Sequence, residues 1–106
     1  MNLEEISFNI ICFAGNARSM CIEALGLSRQ GKFYEAEKLI AEAEEELNKS
    51  HGFQSKLIMA EADGDELTPN ILLIHSQDHL MNAMNFQQLA EEFIEVYERL
   101  VKLENK

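Results

Sequence analysis

The sequence predicts an all-α protein that folds as an antiparallel, up-down-up three-helix bundle in a single domain over residues 1–106. Helix-forming alanine, leucine, glutamate and methionine are plentiful, whereas β-branched residues are sparse. One proline and five glycines leave room for few turns. Two breaks divide the chain, and between them apolar residues recur at alternating spacings of three and four. Short connections between such helices favour antiparallel neighbours.

The first helix is expected over residues 3–29, because Gly31 follows it where a helix C-cap favours glycine. Its apolar stripe is Ile6, Ile10, Ala14, Ala17, Cys21 and Ala24. Cys12 and Cys21 are about 13 Å apart along a helix, too far for a disulfide, so we interpret them as small apolar residues in a reducing compartment. For Arg18 we expect an ion pair with glutamates of the second helix in preference to phosphate binding.

The second and third helices are expected over residues 33–62 and 69–104. Gly64 is suited to ending the second helix. Thr68 is the expected N-cap of the third helix, with Pro69 at its first position, where a proline is well tolerated.

Both of these helices carry stripes that turn polar over part of their length. The stripe of the second helix is Ala36, Ile40, Ala43, Leu47, Ser50 with His51, Gln54 and Ile58. That of the third helix is His75, His79, Asn82, Phe86, Leu89, Phe93 and Leu100. The third helix also has a second apolar face, made of Leu73, Ile74, Leu80, Met81 and Met84. Apolar residues beyond one stripe indicate burial in an oligomer.

The third helix carries a concentrated polar cluster. His75, Asp78 and His79 are spaced i, i+3 and i+4, so their side chains share one helical face. An antiparallel hairpin places Asp78 opposite Gln54, so the polar parts of the two stripes meet in space. Burying such groups unpaired in one core would cost roughly 1–3 kcal/mol each, which favours a polar site between subunits.

The formal net charge of −10 excludes classes of partner. Nucleic acids and anionic membrane surfaces need a basic surface, so neither is expected. A partner with a basic patch is favoured instead. The acidic N-terminus is unlike a signal peptide, and no apolar run is expected to reach the length of a membrane span. We therefore expect a cytoplasmic protein.

The cluster alone is compatible with several functions. A neutral imidazole is a nucleophile near pH 7, so His75 is a candidate phosphoryl acceptor. The pattern His-x-x-Asp-His is similar to a metalloprotease motif, but a third ligand is missing; Asp78 binding a hard cation on a symmetry axis fits better. The residues could also form a purely structural polar network. Finally, Leu25–Ala36 resembles one tetratricopeptide turn, which makes a non-enzymatic helical adaptor with a structural polar or metal site the alternative function.

Three motifs together resemble one known family. Ile74–Met81, Ala14–Ser19 and the His51-x-x-Gln54 pattern after Gly31-Lys32-Phe33 are similar to segments of the lactose/cellobiose-type IIA component of the bacterial phosphoenolpyruvate-dependent sugar phosphotransferase system. Ser76 stands where a glycine is common in that family, and Asn16 where an acidic residue is common. The Ser76 hydroxyl is therefore a candidate phosphate contact.

The resemblance implies a homotrimer, that is, a nine-helix bundle. It implies that His75 accepts a phosphoryl group from the phosphocarrier protein HPr and passes it to a cysteine of the cognate IIB component. This would occur during uptake of a β-linked disaccharide of the lactose, cellobiose or chitobiose type through the membrane permease IIC. Asp78 would bind one divalent cation per trimer, taken as Mg²⁺. The supporting polar residues would be Gln77, His79, His51 and Gln54. Neither an organic cofactor nor direct membrane insertion is implied.

Overall fold

The computed structural model describes residues 2–106 and confirms the predicted all-α, up-down-up bundle. Its helices are α1 (Leu3–Arg29), α2 (Phe33–Ala62) and α3 (Ile71–Glu104). No strand occurs in this part of the chain. The bundle is elongated, with principal extents of 61 × 21 × 16 Å. Long helices joined by short turns therefore place residues of the two ends far apart.

Glycines with positive φ end the first two helices, as the sequence predicts. Gly31 has φ 79° and Gly64 has φ 101°, a backbone conformation that side chains with a Cβ rarely adopt. After α1 the backbone N–H of Lys32 donates to the carbonyl of Leu27 at 2.9 Å, which satisfies a carbonyl at the helix end. The chain can thus reverse direction within three residues.

The start of α3 differs from the prediction. The N-cap is Asn70, whose side-chain oxygen accepts a hydrogen bond from the backbone N–H of Leu73 at 2.8 Å. Thr68 and Pro69 precede the helix, so their assignment as cap and first helical residue was wrong. Asparagine caps helices at least as well as threonine, and its position nearer the apolar repeat decides where the helix begins.

The core lies mainly along α1, which packs against both other helices, whereas α2 and α3 contact each other less. Much of this core is alanine, which lets the helix backbones approach closely. The buried apolar residues of α1 are Ile10, Ala14, Ala17, Cys21 and Ala24. Those of α2 are Ala36, Ile40, Ala43, Leu47, Leu57 and Ala60, and those of α3 are Leu80, Ala83, Ala90 and Ile94.

The stripe predicted for α3 is displaced by about one residue from the face that the structure buries. Leu80 is 0% exposed, whereas Leu89 and Phe93 of the predicted stripe are 58% and 52% exposed. In α2, likewise, Leu57 enters the core and Ile58 does not. Small residues of α3 face α1, because close helix packing has no room for the larger ones.

A strip of exposed apolar side chains remains on α3, on the side turned away from α1 and α2. It consists of Ile71, Ile74, Met81, Leu89, Phe93, Val96, Leu100 and Leu103, and we call it the outer face of α3. By helical spacing, His75 and Asp78 lie within this strip, and both are exposed. The histidine is therefore presented on an apolar surface that the single chain leaves uncovered.

α1 is more apolar than predicted from the sequence, because no segment was expected to approach the length of a membrane span. An 18-residue window of this helix has a mean hydropathy of 1.3, enough by length and composition for a span. This is weak support for a membrane helix, because core helices meet the same criteria. Only 28% of that window is buried in the bundle, so much of its apolar surface stays at least partly exposed in the single chain.

Candidate active site

The centre of the site is a pair of imidazoles one helical turn apart on α3. The Nε2 atoms of His75 and His79 lie 3.0 Å apart, and the rings meet edge to face with centroids 4.3 Å apart. A contact of this length needs one N–H and one lone pair between the two nitrogens. When His79 donates, Nε2 of His75 is unprotonated, which is the state that a nucleophilic imidazole requires.

The two histidines differ in accessibility. His75 is exposed on the outer face of α3, whereas His79 is half-buried at its edge. A phosphoryl acceptor has to be reached by a second protein, and His75 meets that requirement. His79 is better placed to support its neighbour than to be attacked itself.

A chain of hydrogen bonds joins α2 to α3 at the same level. Gln54 Nε2 donates to Gln77 Oε1 at 2.8 Å, and Gln77 Nε2 donates to Ser76 Oγ at 3.2 Å. Ser76 Oγ in turn donates to the carbonyl of Leu73 at 2.6 Å. The Gln54–Gln77 bond agrees with the predicted pairing of α2 and α3 to within one position. We call these residues the glutamine chain.

The structure does not bring Gln77 next to His75 within one chain. Residues two positions apart on a helix are rotated by about 200° relative to each other, so the side chains of His75 and Gln77 leave α3 on opposite sides. Ser76 is fully buried and its hydroxyl is bonded internally, so the expected contact between Ser76 and phosphate was wrong. Its side chain faces the core, where it holds the backbone and Gln77.

Asp78 lies on the same face of α3 as His75, three residues away, whereas His51 is on α2. Asp78 is exposed in the middle of the outer face of α3. Within residues 2–106 no group of three or more histidine, cysteine or acidic side chains could hold a metal ion. His51 is exposed and lines a groove of about 370 Å³ between α2 and α3, together with Met84 and Gln87. The groove does not include His75.

The expected ion pair of Arg18 was also wrong. Its guanidinium lies 5.5 Å from the centroid of the Phe86 ring on α3, a cation–π contact, and not beside glutamates of α2. Among the described residues the ion pair is Lys49–Glu46, at 3.7 Å. The position of Arg18 in the helical repeat directs it toward α3. The prediction considered only the pairing of α1 with α2.

The comparison with known proteins identifies the family. The family described as "PTS system, Lactose/Cellobiose specific IIA subunit" matches residues 5–98. A lichenan-specific phosphotransferase enzyme IIA component of Bacillus subtilis is 43% identical over 100 residues, covering 94% of this chain and 91% of the relative. A cellobiose-specific component of Lactococcus lactis is 39% identical over 101 residues, covering 95% and 87%.

Solved structures agree with this match. The cellobiose-specific enzyme IIA from Bacillus anthracis superposes with a TM-score of 0.93 at 45% identity, covering 96% of this chain and 94% of that one. IIA(Chitobiose), in its complex with HPr from Escherichia coli, gives a TM-score of 0.80 at 35% identity, covering 94% and 97%. The chain therefore belongs to the lactose/cellobiose-specific IIA family and is a phosphotransferase component of a sugar phosphotransferase system.

Proposed function

We propose that this protein is a phosphoryl carrier in which His75 is the acceptor. HPr is the donor, and a cysteine of the cognate IIB component receives the group during uptake of a β-linked disaccharide of the lactose, cellobiose or chitobiose type through the IIC permease. The observation that carries the assignment is the exposed imidazole of His75, 3.0 Å from that of His79, in a chain of the IIA family. The alternative of a helical adaptor is disfavoured by the family match.

The chemistry uses His75 first as a nucleophile and then as a leaving group. A lone pair of its ring attacks phosphorus and forms a P–N bond, while the P–N bond to the donor histidine breaks. In the second step the cysteine thiolate of IIB forms a P–S bond, and the P–N bond to His75 breaks. Catalysis of such transfers is mostly positioning and charge stabilisation, so a small domain without a substrate pocket suffices.

His79 is the residue of this chain best placed to assist. When its Nε2–H points toward His75, it keeps that nitrogen unprotonated, and this hydrogen bond breaks as the lone pair attacks phosphorus. After transfer the same N–H can donate to an oxygen of the phosphoryl group.

We further propose that three chains assemble through the outer face of α3. Exposed apolar strips of this extent mark interaction surfaces. Asp78 lies in the middle of the strip and His75 at its edge. A threefold axis along the strip would therefore bring three carboxylates together and leave the imidazoles at the rim of the interface, where a partner can reach them. Like charges so placed repel strongly unless a cation or protons neutralise them.

Mg²⁺ shared by three copies of Asp78 fits this donor set, since Mg²⁺ prefers carboxylate and water oxygens. One chain offers a single carboxylate at this position, so the cation would belong to the assembly. When bound it would offset the negative charge that phosphorylation adds near the axis. We place the protein in the cytoplasm, where HPr and IIB could reach it.

The proposal is tested by incubating the protein with phosphoenolpyruvate, the first enzyme of the system and HPr. We expect an acid-labile, base-stable phosphate on the wild type. His75→Ala should carry none, whereas Glu45→Gln, an exposed change on α2, should be labelled like the wild type. Undiminished label in His75→Ala would overturn the assignment.

A further inference from the structure

We propose that Ser76 is a positioning residue that fixes the orientation of the Gln54–Gln77 amide pair, which links α2 to α3 at the level of His75 on the side of α3 opposite to that imidazole. The functional consequence rests on the proposed role of His75, whereas the orientation itself rests on the hydrogen bonds of this chain alone. The glutamine chain and the burial of Ser76 support this role.

The Ser76 hydroxyl already uses its proton in a hydrogen bond to the backbone. Ser76 is 0% exposed, and its Oγ donates to the backbone carbonyl of Leu73 at 2.6 Å. A hydroxyl has one proton, and a backbone carbonyl can only accept. With its proton engaged in this way, Ser76 presents only lone pairs to Gln77. It can bind the NH₂ end of that side chain and not the carbonyl end.

The side-chain amides of Gln54 and Gln77 could pair in either of two orientations. Gln54 Nε2 donates to Gln77 Oε1 at 2.8 Å. Each amide has a donor end and an acceptor end, so a concerted flip of both would form an equally good bond in the reverse sense. The pair alone therefore has two arrangements. Ser76 breaks this symmetry, because only one arrangement places Gln77 Nε2 against its lone pairs, at 3.2 Å.

The orientation of the two amides matters for the contact between α2 and α3 at the level of His75. These helices pack together less extensively than either packs on α1, so one side-chain bridge has more weight here than elsewhere in the bundle. With the amides oriented, the bridge holds α3 in one register against α2 at the level of His75, so the imidazole keeps a fixed position for transfer. Without Ser76 the pair would exchange between donor and acceptor presentations.

The test uses Ser76→Ala with Ser28→Ala as a matched control. Ser28 is likewise fully buried, and its Oγ donates to the carbonyl of Ala24 at 3.0 Å, but it contacts neither glutamine. Both variants therefore lose one buried serine-to-carbonyl bond. The readouts are the side-chain amide resonances of Gln54 and Gln77 and the kinetics of transfer from phospho-HPr.

In the wild type and in Ser28→Ala we expect one sharp, downfield-shifted amide set for Gln77. In Ser76→Ala this set should be exchange-broadened or doubled. The kcat of transfer should fall roughly two- to tenfold with an unchanged KM for phospho-HPr, as expected for loss of one neutral hydrogen bond. Unaltered Gln77 resonances in Ser76→Ala would overturn the proposal.

Two further measurements keep the proposal falsifiable. If Ser76→Ala does not fold, Gln54→Ala serves instead: Gln77 should stay ordered through Ser76, and an averaged Gln77 amide would contradict the idea. If the wild type accepts no phosphate, the proposed function fails, yet the resonance comparison still decides the role of Ser76. If the resonances change but kcat does not, Ser76 orients the amides without positioning them for transfer, and that part of the proposal is rejected.

Discussion

His75, Ser76 and Gln77 follow one another in the sequence, yet their side chains leave α3 in three directions. His75 reaches solvent on the outer face, Ser76 enters the core and Gln77 meets Gln54 of α2. Each step of one residue rotates the side chain by roughly 100°. A run of polar residues is therefore divided between a reactive group, a buried hydrogen-bond acceptor and a link between helices.

The two cysteines should differ sharply in reactivity. Burial raises the pKa of Cys21 from 9.0 to about 11, and the negative charge of Glu91 acts in the same direction. Cys12 is exposed, and both thiols are free. Near pH 8, iodoacetamide should therefore label Cys12 in the folded protein and label Cys21 only after unfolding in urea.

The raised pKa of Cys21 determines the direction in which the stability of the folded protein changes with pH. The favourable burial of the neutral thiol is fully present below about pH 9 and is lost as the pH rises through about 11. Stability measured from pH 8 to pH 11 should fall more in the wild type than in Cys21→Ala. Equal labelling of both cysteines in the folded protein would show that Cys21 is not buried.

Residue spacing was sufficient to predict the imidazole pair but not its surroundings. His75 and His79 meet because any residues four apart on a helix are neighbours. The inward direction of Ser76 depends on which face of α3 packs on α1, and that is a tertiary fact. The same limitation led to the wrong expectations for Ser76 and Arg18.

At the scale of elements, helix boundaries were predictable and helix faces were not. Gly31 and Gly64 mark chain reversals that require positive φ, so the ends of α1 and α2 fall where expected. α3 has apolar residues around much of its circumference, so periodicity alone cannot select the buried strip. The close approach of alanine-rich surfaces selects it instead, turning Ala83 and Ala90 inward.

Two leucines of α3 separate packing within the chain from packing between chains. Leu80 is fully buried in the bundle, whereas Leu89 lies on the outer face. Leu80→Ala should lower the free energy of unfolding by about 2–5 kcal/mol at every protein concentration. Leu89→Ala should weaken assembly, so its effect should vary with protein concentration. Urea titrations at several concentrations distinguish the two; a concentration-independent loss for Leu89→Ala would argue against an interface there.

At the scale of the whole molecule, shape and charge point to assembly and to a basic donor. A bundle 61 Å long with an uncovered apolar strip along α3 is suited to packing against copies of itself. The net charge of −10 leaves the surface attractive to a positively charged partner. The charge follows from composition, whereas the position of the strip and the symmetry of the assembly do not.

The proposed trimer and its cation can be tested together. Light scattering at micromolar concentration should give the mass of three chains, and a monomer would count against the proposal. Metal analysis of the purified trimer should find one divalent cation per three chains. Asp78→Ala should remove the cation, whereas Asp65→Ala, a change in the exposed turn between α2 and α3, should retain it. Equal metal content in both variants would exclude Asp78 as a ligand.

The proposed mechanism requires that the imidazole of His75, and not that of His79, carries the phosphoryl group. The most direct measurement is the site of modification, determined by ³¹P–¹H NMR of the phosphorylated wild type and of His79→Ala. We expect phosphate on His75 in both proteins, with formation slowed roughly tenfold in His79→Ala because the hydrogen bond from His79 is lost. Phosphate on His79, or a second phosphohistidine elsewhere in the chain, would contradict it.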